Sequence, residues 1–139
     1  MFIGEYEHTL DTKGRVNFPA RLREDLGESF IIAKWLDNCL AAYPLSTWNQ
    51  LMDKLSQSSV AQTIGLQRFL SAGAQIVEPD KQGRILIPAN LREYAGLEKD
   101  ITVVGVTNRA EIWNKERWKE INSKLTPSAM AEVMASIGF

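Results

Sequence analysis

Residues 11–27, DTKGRVNFPARLREDLG, return 69 positions later as residues 80–96, DKQGRILIPANLREYAG. Nine of these 17 aligned positions are identical: Asp, Gly, Arg, Pro, Ala, Leu, Arg, Glu and Gly recur in order. Composition alone would give about one match in such a window, so the pattern marks an internal duplication, which must be read before any single element. The similarity extends outward. Gly4 pairs with Gly73, and after a one-residue slip Asn38 pairs with Asn108, Tyr43 with Trp113, Trp48 with Trp118 and Leu55 with Leu125. Each half is one plan of about 70 residues.

Each plan reads as strand, tight turn, strand, short helix, two further strands and a longer helix. Lys13-Gly14 and Gln82-Gly83 sit where glycine supplies positive φ, which makes each Asp-x-x-Gly-Arg unit the tip of a hairpin. Pro19 and Pro88 suit the first turn of a helix, and Gly27 and Gly96 its left-handed stop. Phe30 to Ala33 and Ile101 to Val104 read as buried strands, followed by strands at Leu40 to Tyr43 and Glu111 to Trp113. Apolar stripes at Trp48, Leu51, Met52 and Leu55, and at Trp118, Ile121 and Leu125, mark the helices after them. Further helices are expected over Val60 to Leu70 and Ser128 to Ile137. The chain then divides into a first repeat at 5–47, linking helices at 48–73, a second repeat at 74–117 and C-terminal helices at 118–139.

One half holds too few strands to offset its chain entropy, so the halves are expected to share one core about a pseudo-two-fold axis. At 139 residues, 45% hydrophobic and 24% charged, the chain has the composition of a folded globular protein and not of a disordered one. The two copies differ in one respect. Arg15-Val16-Asn17-Phe18 alternates polar and apolar, whereas Ile85-Leu86-Ile87 is apolar throughout and predicts burial on both faces, under the terminal helix or a neighbouring subunit.

The catalytic inventory is thin. His8 is the only histidine and Cys39 the only cysteine, which excludes an intrachain disulfide, a cysteine-based zinc cluster and a CxxC pair, and fits a reducing cytoplasm. No phosphate-binding GxxxxGK[ST], HExxH or GxSxG spacing occurs, and no metal site or cofactor is indicated. The start, Met1 to Glu7, lacks the basic and apolar pattern of a signal peptide, and no run approaches a membrane span. Asp11 and Asp80 could form a carboxylate pair across the axis, but Arg15 and Arg84 close behind them point to ion pairs instead.

A formal charge of −1 argues against a broadly basic nucleic-acid binder, yet the charge is unevenly placed. Residues 11–24 carry a net +2 and residues 80–93 a net +1, which leaves −4 on the rest of the chain. Guanidinium groups beside exposed turn N–H groups suit phosphate, and a two-stranded ribbon can enter the major groove. The same arginines could equally clamp Asp11 and Asp80 and hold the turns. The residues leave both readings open.

At the paired Asp11-x-x-Gly14-Arg15 and Asp80-x-x-Gly83-Arg84 units the chain resembles the MraZ family, a duplicated branch of the SpoVT-AbrB superfamily of bacterial DNA-binding regulators. Met1-Phe2 with Gly4, Tyr43-Pro44-Leu45, Phe69 to Ala74 and Ala110-Glu111-Ile112-Trp113 extend the match over nearly the whole chain. The resemblance implies an α+β fold: a β-rich double AbrB-like swapped-hairpin barrel of two repeats about a pseudo-two-fold axis, with peripheral helices. It implies a transcriptional regulator of the division and cell-wall gene cluster, a repressor that binds short direct repeats of double-stranded DNA in its own promoter. It further implies ring-shaped, octamer-like homo-oligomers in the nucleoid-associated cytoplasm, with no membrane partner. Carried over by position, Lys13, Arg15, Lys81 and Arg84 are the DNA contacts, and Asp11, Gly14, Asp80 and Gly83 stabilise the turns. The second copy has Gln82 at the place of Lys13, with Lys81 one position earlier. The alternative is a homo-oligomeric assembly or protein-interaction module whose arginines only brace turns.

Overall fold

The computed structural model describes residues 1–139. The first repeat contributes β1 (Glu5–Thr9), β2 (Arg15–Asn17), α1 (Ala20–Leu26), β3 (Phe30–Lys34) and β4 (Leu40–Pro44), followed by α2 (Leu45–Ser56) and α3 (Val60–Ala72). The second contributes β5 (Gln75–Val77), β6 (Arg84–Leu86), α4 (Ala89–Tyr94), β7 (Asp100–Val106) and β8 (Arg109–Asn114), then α5 (Lys115–Ser123) and α6 (Pro127–Ser136). The result is an α+β fold with one six-stranded sheet, ordered β1-β7-β8-β4-β3-β5, and a two-stranded ribbon of β2 with β6.

Strand pairing exchanges the halves. Strand β1 pairs with β7 of the second repeat, and β5 pairs with β3 of the first, so exchanging the repeats leaves the sheet order unchanged. Two ladders lie on the pseudo-axis. In the ribbon Arg15 faces Leu86, Val16 faces Ile85 and Asn17 faces Arg84. At the centre of the sheet Leu40 faces Ile112, Ala41 faces Glu111 and Ala42 faces Ala110. The ribbon is lengthened by Phe18 N–H donating to Gly83 O and Ile87 N–H to Gly14 O, one bond from each repeat.

Alternation along the strands builds the layers. Phe30 and Ile32 point to one side of β3 and join Val16, Phe18, Ile85, Ile87, Ile101, Val103 and Ile112 in a core drawn from both repeats. Ile31 and Ala33 point to the other side, where Tyr43, Trp48, Leu55 and Leu70 make a second cluster with α2 and α3. Trp113 and Val104 form a smaller third cluster with Cys39, against Trp118 and Ile121 of α5. The sheet is therefore covered on both faces, and the ribbon closes the larger core.

Several local expectations shift. The turn in each Asp-x-x-Gly-Arg unit closes on itself, with Asp11 N–H donating to Arg15 O, but the strands it joins do not form a hairpin. One belongs to the sheet and the other to the inter-repeat ribbon, where Val16 and Ile85 face each other, both buried. Pro19 and Pro88 precede α1 and α4 as their capping residues, one position before the first turn. Gly96 follows α4 at φ 61° as expected, whereas Gly27 takes φ 91° and ψ −175°, a glycine-favouring positive φ outside the left-handed helical region. Leu125 lies beyond α5 and is exposed.

The clearest correction concerns the second ribbon strand. Ile85 is 1% exposed and Ile87 is fully buried, but Leu86 is 50% exposed. Within the chain it is only half covered, and α6 buries none of its own residues. The strand obeys the two-residue period of any half-buried strand, and an apolar side chain at the outward position does not by itself recruit a cover.

Candidate nucleic-acid interface

The turns are built by their aspartates. Asp11 Oδ1 accepts from the N–H groups of Lys13 at 2.8 Å and Arg15 at 2.9 Å. Asp80 Oδ1 accepts from Gln82 and Arg84, each at 2.9 Å. These bonds hold the chain so that the glycine between them takes positive φ, 87° at Gly14 and 79° at Gly83. The N–H of Arg15 lowers the pKa of Asp11 most, and that of Arg84 does the same for Asp80, so both carboxylates are held below their ordinary range.

Behind each turn lies an arginine from the other repeat. Arg92 Nε donates to Ile87 O at 2.9 Å while its guanidinium packs against Gly14, and Arg23 Nε donates to Phe18 O at 3.0 Å while its guanidinium packs against Gly83. A β-carbon at Gly14 would stand 2.8 Å from Arg92 Nε and Cζ, and one at Gly83 would stand 2.6 Å from Arg23 Cζ. Arg23 and Arg92 were not among the expected site residues. The signal was present, because Leu22-Arg23-Glu24 and Leu91-Arg92-Glu93 are identical between copies, a similarity that helix propensity alone does not require.

With Val16 and Ile85 turned into the core, the alternation sends Arg15, Asn17, Arg84 and Leu86 to the outer face of the ribbon. Lys13 and Lys81 are exposed on the adjoining turns. The four expected DNA-contacting residues thus cluster at the ribbon and its two turns. They are not equivalent. Arg84 Nε reaches Asp80 Oδ2 at 3.0 Å, whereas the Arg15 side chain makes no ion pair and its clamp on Asp11 is made by backbone alone. The structural-clamp reading therefore holds for the Arg84 side chain and not for that of Arg15.

Nothing elsewhere assembles a catalytic group. Cys39 is buried, which pushes its thiol well above the usual range, and His8 is held below its ordinary pKa by burial. The buried Glu111 carboxylate is satisfied by Arg109 Nη2 at 2.8 Å and Trp113 Nε1 at 3.1 Å, a structural pairing. Asp11 and Asp80 engage their own turns and not each other. No helix is long and apolar enough to cross a membrane.

The family model described as that of the MraZ protein matches residues 1–66 and 70–136, one segment for each repeat. This chain belongs to the MraZ family. The protein named Transcriptional regulator MraZ from Acetivibrio thermocellus is 50% identical over 142 residues, spanning 99% of both chains. That from Clostridium beijerinckii is 52% identical over 141 residues, again 99% of both, and that from Heliobacterium modesticaldum is 52% identical over 130 residues, covering 92% of this chain and 91% of its own. Membership in the MraZ family makes this chain a transcriptional regulator and not an enzyme.

Proposed function

We propose that this MraZ-family chain binds double-stranded DNA sequence-specifically through Lys13, Arg15, Lys81 and Arg84. The observation that carries the reading is the ribbon itself: one pseudo-two-fold motif turns two arginines to the same outer face and sets a lysine on each adjoining turn. Guanidinium and ammonium groups presented in this way suit phosphates and guanine edges, and an antiparallel ribbon of this width suits the major groove. Family membership supports the finer reading: a cytoplasmic, nucleoid-associated repressor of the division and cell-wall gene cluster, acting at short direct repeats in its own promoter as a ring-shaped, octamer-like homo-oligomer. Self-assembly is favoured by apolar surface that the single chain leaves open, at Met130, Val133, Met134 and Ile137 on and beside α6. A ring would gather weakly binding basic ribbons along one rim, and linked sites gain avidity without a tight single contact. The charge of −1 is then no obstacle.

The test is a titration of the chain's own upstream DNA at several salt concentrations. Arg15→Ala with Arg84→Ala should abolish the specific shift and flatten the salt slope by roughly 0.9 for each phosphate that is no longer neutralised. Unchanged affinity in a folded double variant would remove the reading. It would favour the second one, a protein-interaction module, for which the exposed apolar face of α6 is the supporting observation.

A further inference from the structure

The basic groups account for attraction to DNA and for contact with guanine edges, but not for a choice between A·T and T·A pairs. Two of the four outward ribbon positions carry side chains too short to reach sideways to the phosphates: Asn17, which is exposed, and Leu86, half exposed. They occupy pseudo-equivalent places, Asn17 opposite Arg84 and Leu86 opposite Arg15, at one diagonal of the ribbon. At these two outward positions the copies diverge in chemistry, while at the other outward pair, Arg15 and Arg84, both keep arginine. We infer that Asn17 and Leu86 are the A·T-reading pair of the ribbon, with Asn17 matched to adenine and Leu86 to a thymine methyl group. The inference rests on the DNA-binding reading above and adds to it two residues that read A·T pairs.

A carboxamide can accept from adenine N6 and donate to N7 together, whereas a leucine can offer only apolar contact, for which the thymine methyl is the complement in the major groove. Diagonal positions on a ribbon lie about 7–8 Å apart. At roughly 3.4 Å per base step, the two readers would address base pairs about two steps apart. Because Asn17 and Leu86 differ, the footprint of the pseudo-symmetric ribbon has a direction: it is not a palindrome, although the backbone that reads it is close to two-fold. Arg15 and Lys13 on one side, and Arg84 and Lys81 on the other, give the surface the positive charge that seats it on a duplex. A lone exposed leucine needs no explanation in general. Here it is the one apolar member of an outward set otherwise made of two arginines and an asparagine.

The experiment is sequence selection from a randomised duplex library with the full-length chain, Leu86→Asn, Leu86→Ala and Asn17→Ala, with each selected duplex then titrated at fixed salt. Leu86→Ala should lose about tenfold or more of the preference at the thymine position while keeping affinity for unselected duplex and its salt slope. Asn17→Ala should relax the adenine position alone. Leu86→Asn, which makes the ribbon chemically two-fold, should select a more palindromic sequence. Both positions are exposed, and unchanged melting temperatures will separate a change in reading from a change in folding. If the four proteins select one consensus, the assignment of Asn17 and Leu86 is overturned while DNA binding stands. If the unaltered chain binds no duplex, both readings fall.

Discussion

Replacing Gly14 with alanine tests how the two repeats hold each other's turns. Gly14 has φ 87°, a conformation that strains any side chain, and its new β-carbon would meet Arg92 Nε and Cζ at 2.8 Å. The residue must therefore accept backbone strain and push the guanidinium away, weakening the 2.9 Å bond from Arg92 Nε to Ile87 O. Strain costs about 1–3 kcal/mol and the bond about 0.5–1.5 kcal/mol, so the expected loss is roughly 2–4 kcal/mol. With an unfolding entropy of about 2.1 cal/mol/K per residue, the melting temperature should fall by roughly 7–14 °C. Gly83→Ala should behave alike, because Arg23 stands behind it. Thermal unfolding followed by circular dichroism measures both. Adding Arg92→Ala to Gly14→Ala should cost less than the sum of the single changes, since the steric part of the penalty is shared. Variants that melt within about 2 °C of the parent would refute the packing of guanidinium on turn.

Other outcomes follow from the same geometry. Ile85→Ala should cost about 2–5 kcal/mol in denaturant unfolding, whereas Leu86→Ala, one residue along, should stay within about 0.5 kcal/mol. Equal effects would contradict the alternation in the ribbon. Asp11 and Asp80 have depressed folded-state pKa values, so what they add to stability is complete above the ordinary carboxylate range and disappears as pH falls through the depressed values. Asp11→Asn with Asp80→Asn should flatten the acid limb of melting temperature against pH, and an unaltered limb would assign it to other groups. Cys39, buried with its thiol pKa raised, should react with a thiol-selective disulfide reagent only after denaturation, and rapid labelling of the native protein would show a local opening at the β4 start.

The repeat was the most legible feature of the sequence, and it carried the strands, the turns and the shared core with it. Identity at Asp11/Asp80, Gly14/Gly83 and Arg15/Arg84 marks positions whose geometry is set within a few residues, where Asx bonding and positive φ leave little choice. Pairing partners were harder to read, because a strand pattern states which face is buried and not which strand lies alongside. The ribbon of β2 with β6 depends on residues 69 positions apart. Leu86 misled for a related reason: three successive apolar residues look like a strand buried on both sides, and only the folded chain shows that the middle one stays half exposed within it. The roles of Arg23 and Arg92 were hidden because each acts on the turn of the opposite copy, a contact that no local spacing encodes.

The exchanged strands also bear on how the molecule is made. During synthesis β1 leaves the ribosome long before its partner, since Glu5 pairs with Val104 and Thr9 with Asp100. Strand β3 gains its outer neighbour only when Phe30 meets Val77 and Ile31 meets Ile76. The completed first repeat therefore waits with unpaired edges, and the nucleus that commits the chain must include contacts of high sequence separation, which form slowly. Closing so long a loop adds little to the equilibrium cost, because that cost grows only with the logarithm of its length. The delay is kinetic. In that interval a second nascent chain offers the same strand that the first is waiting for, and chain termini made close together on one message are the most exposed to such an exchange.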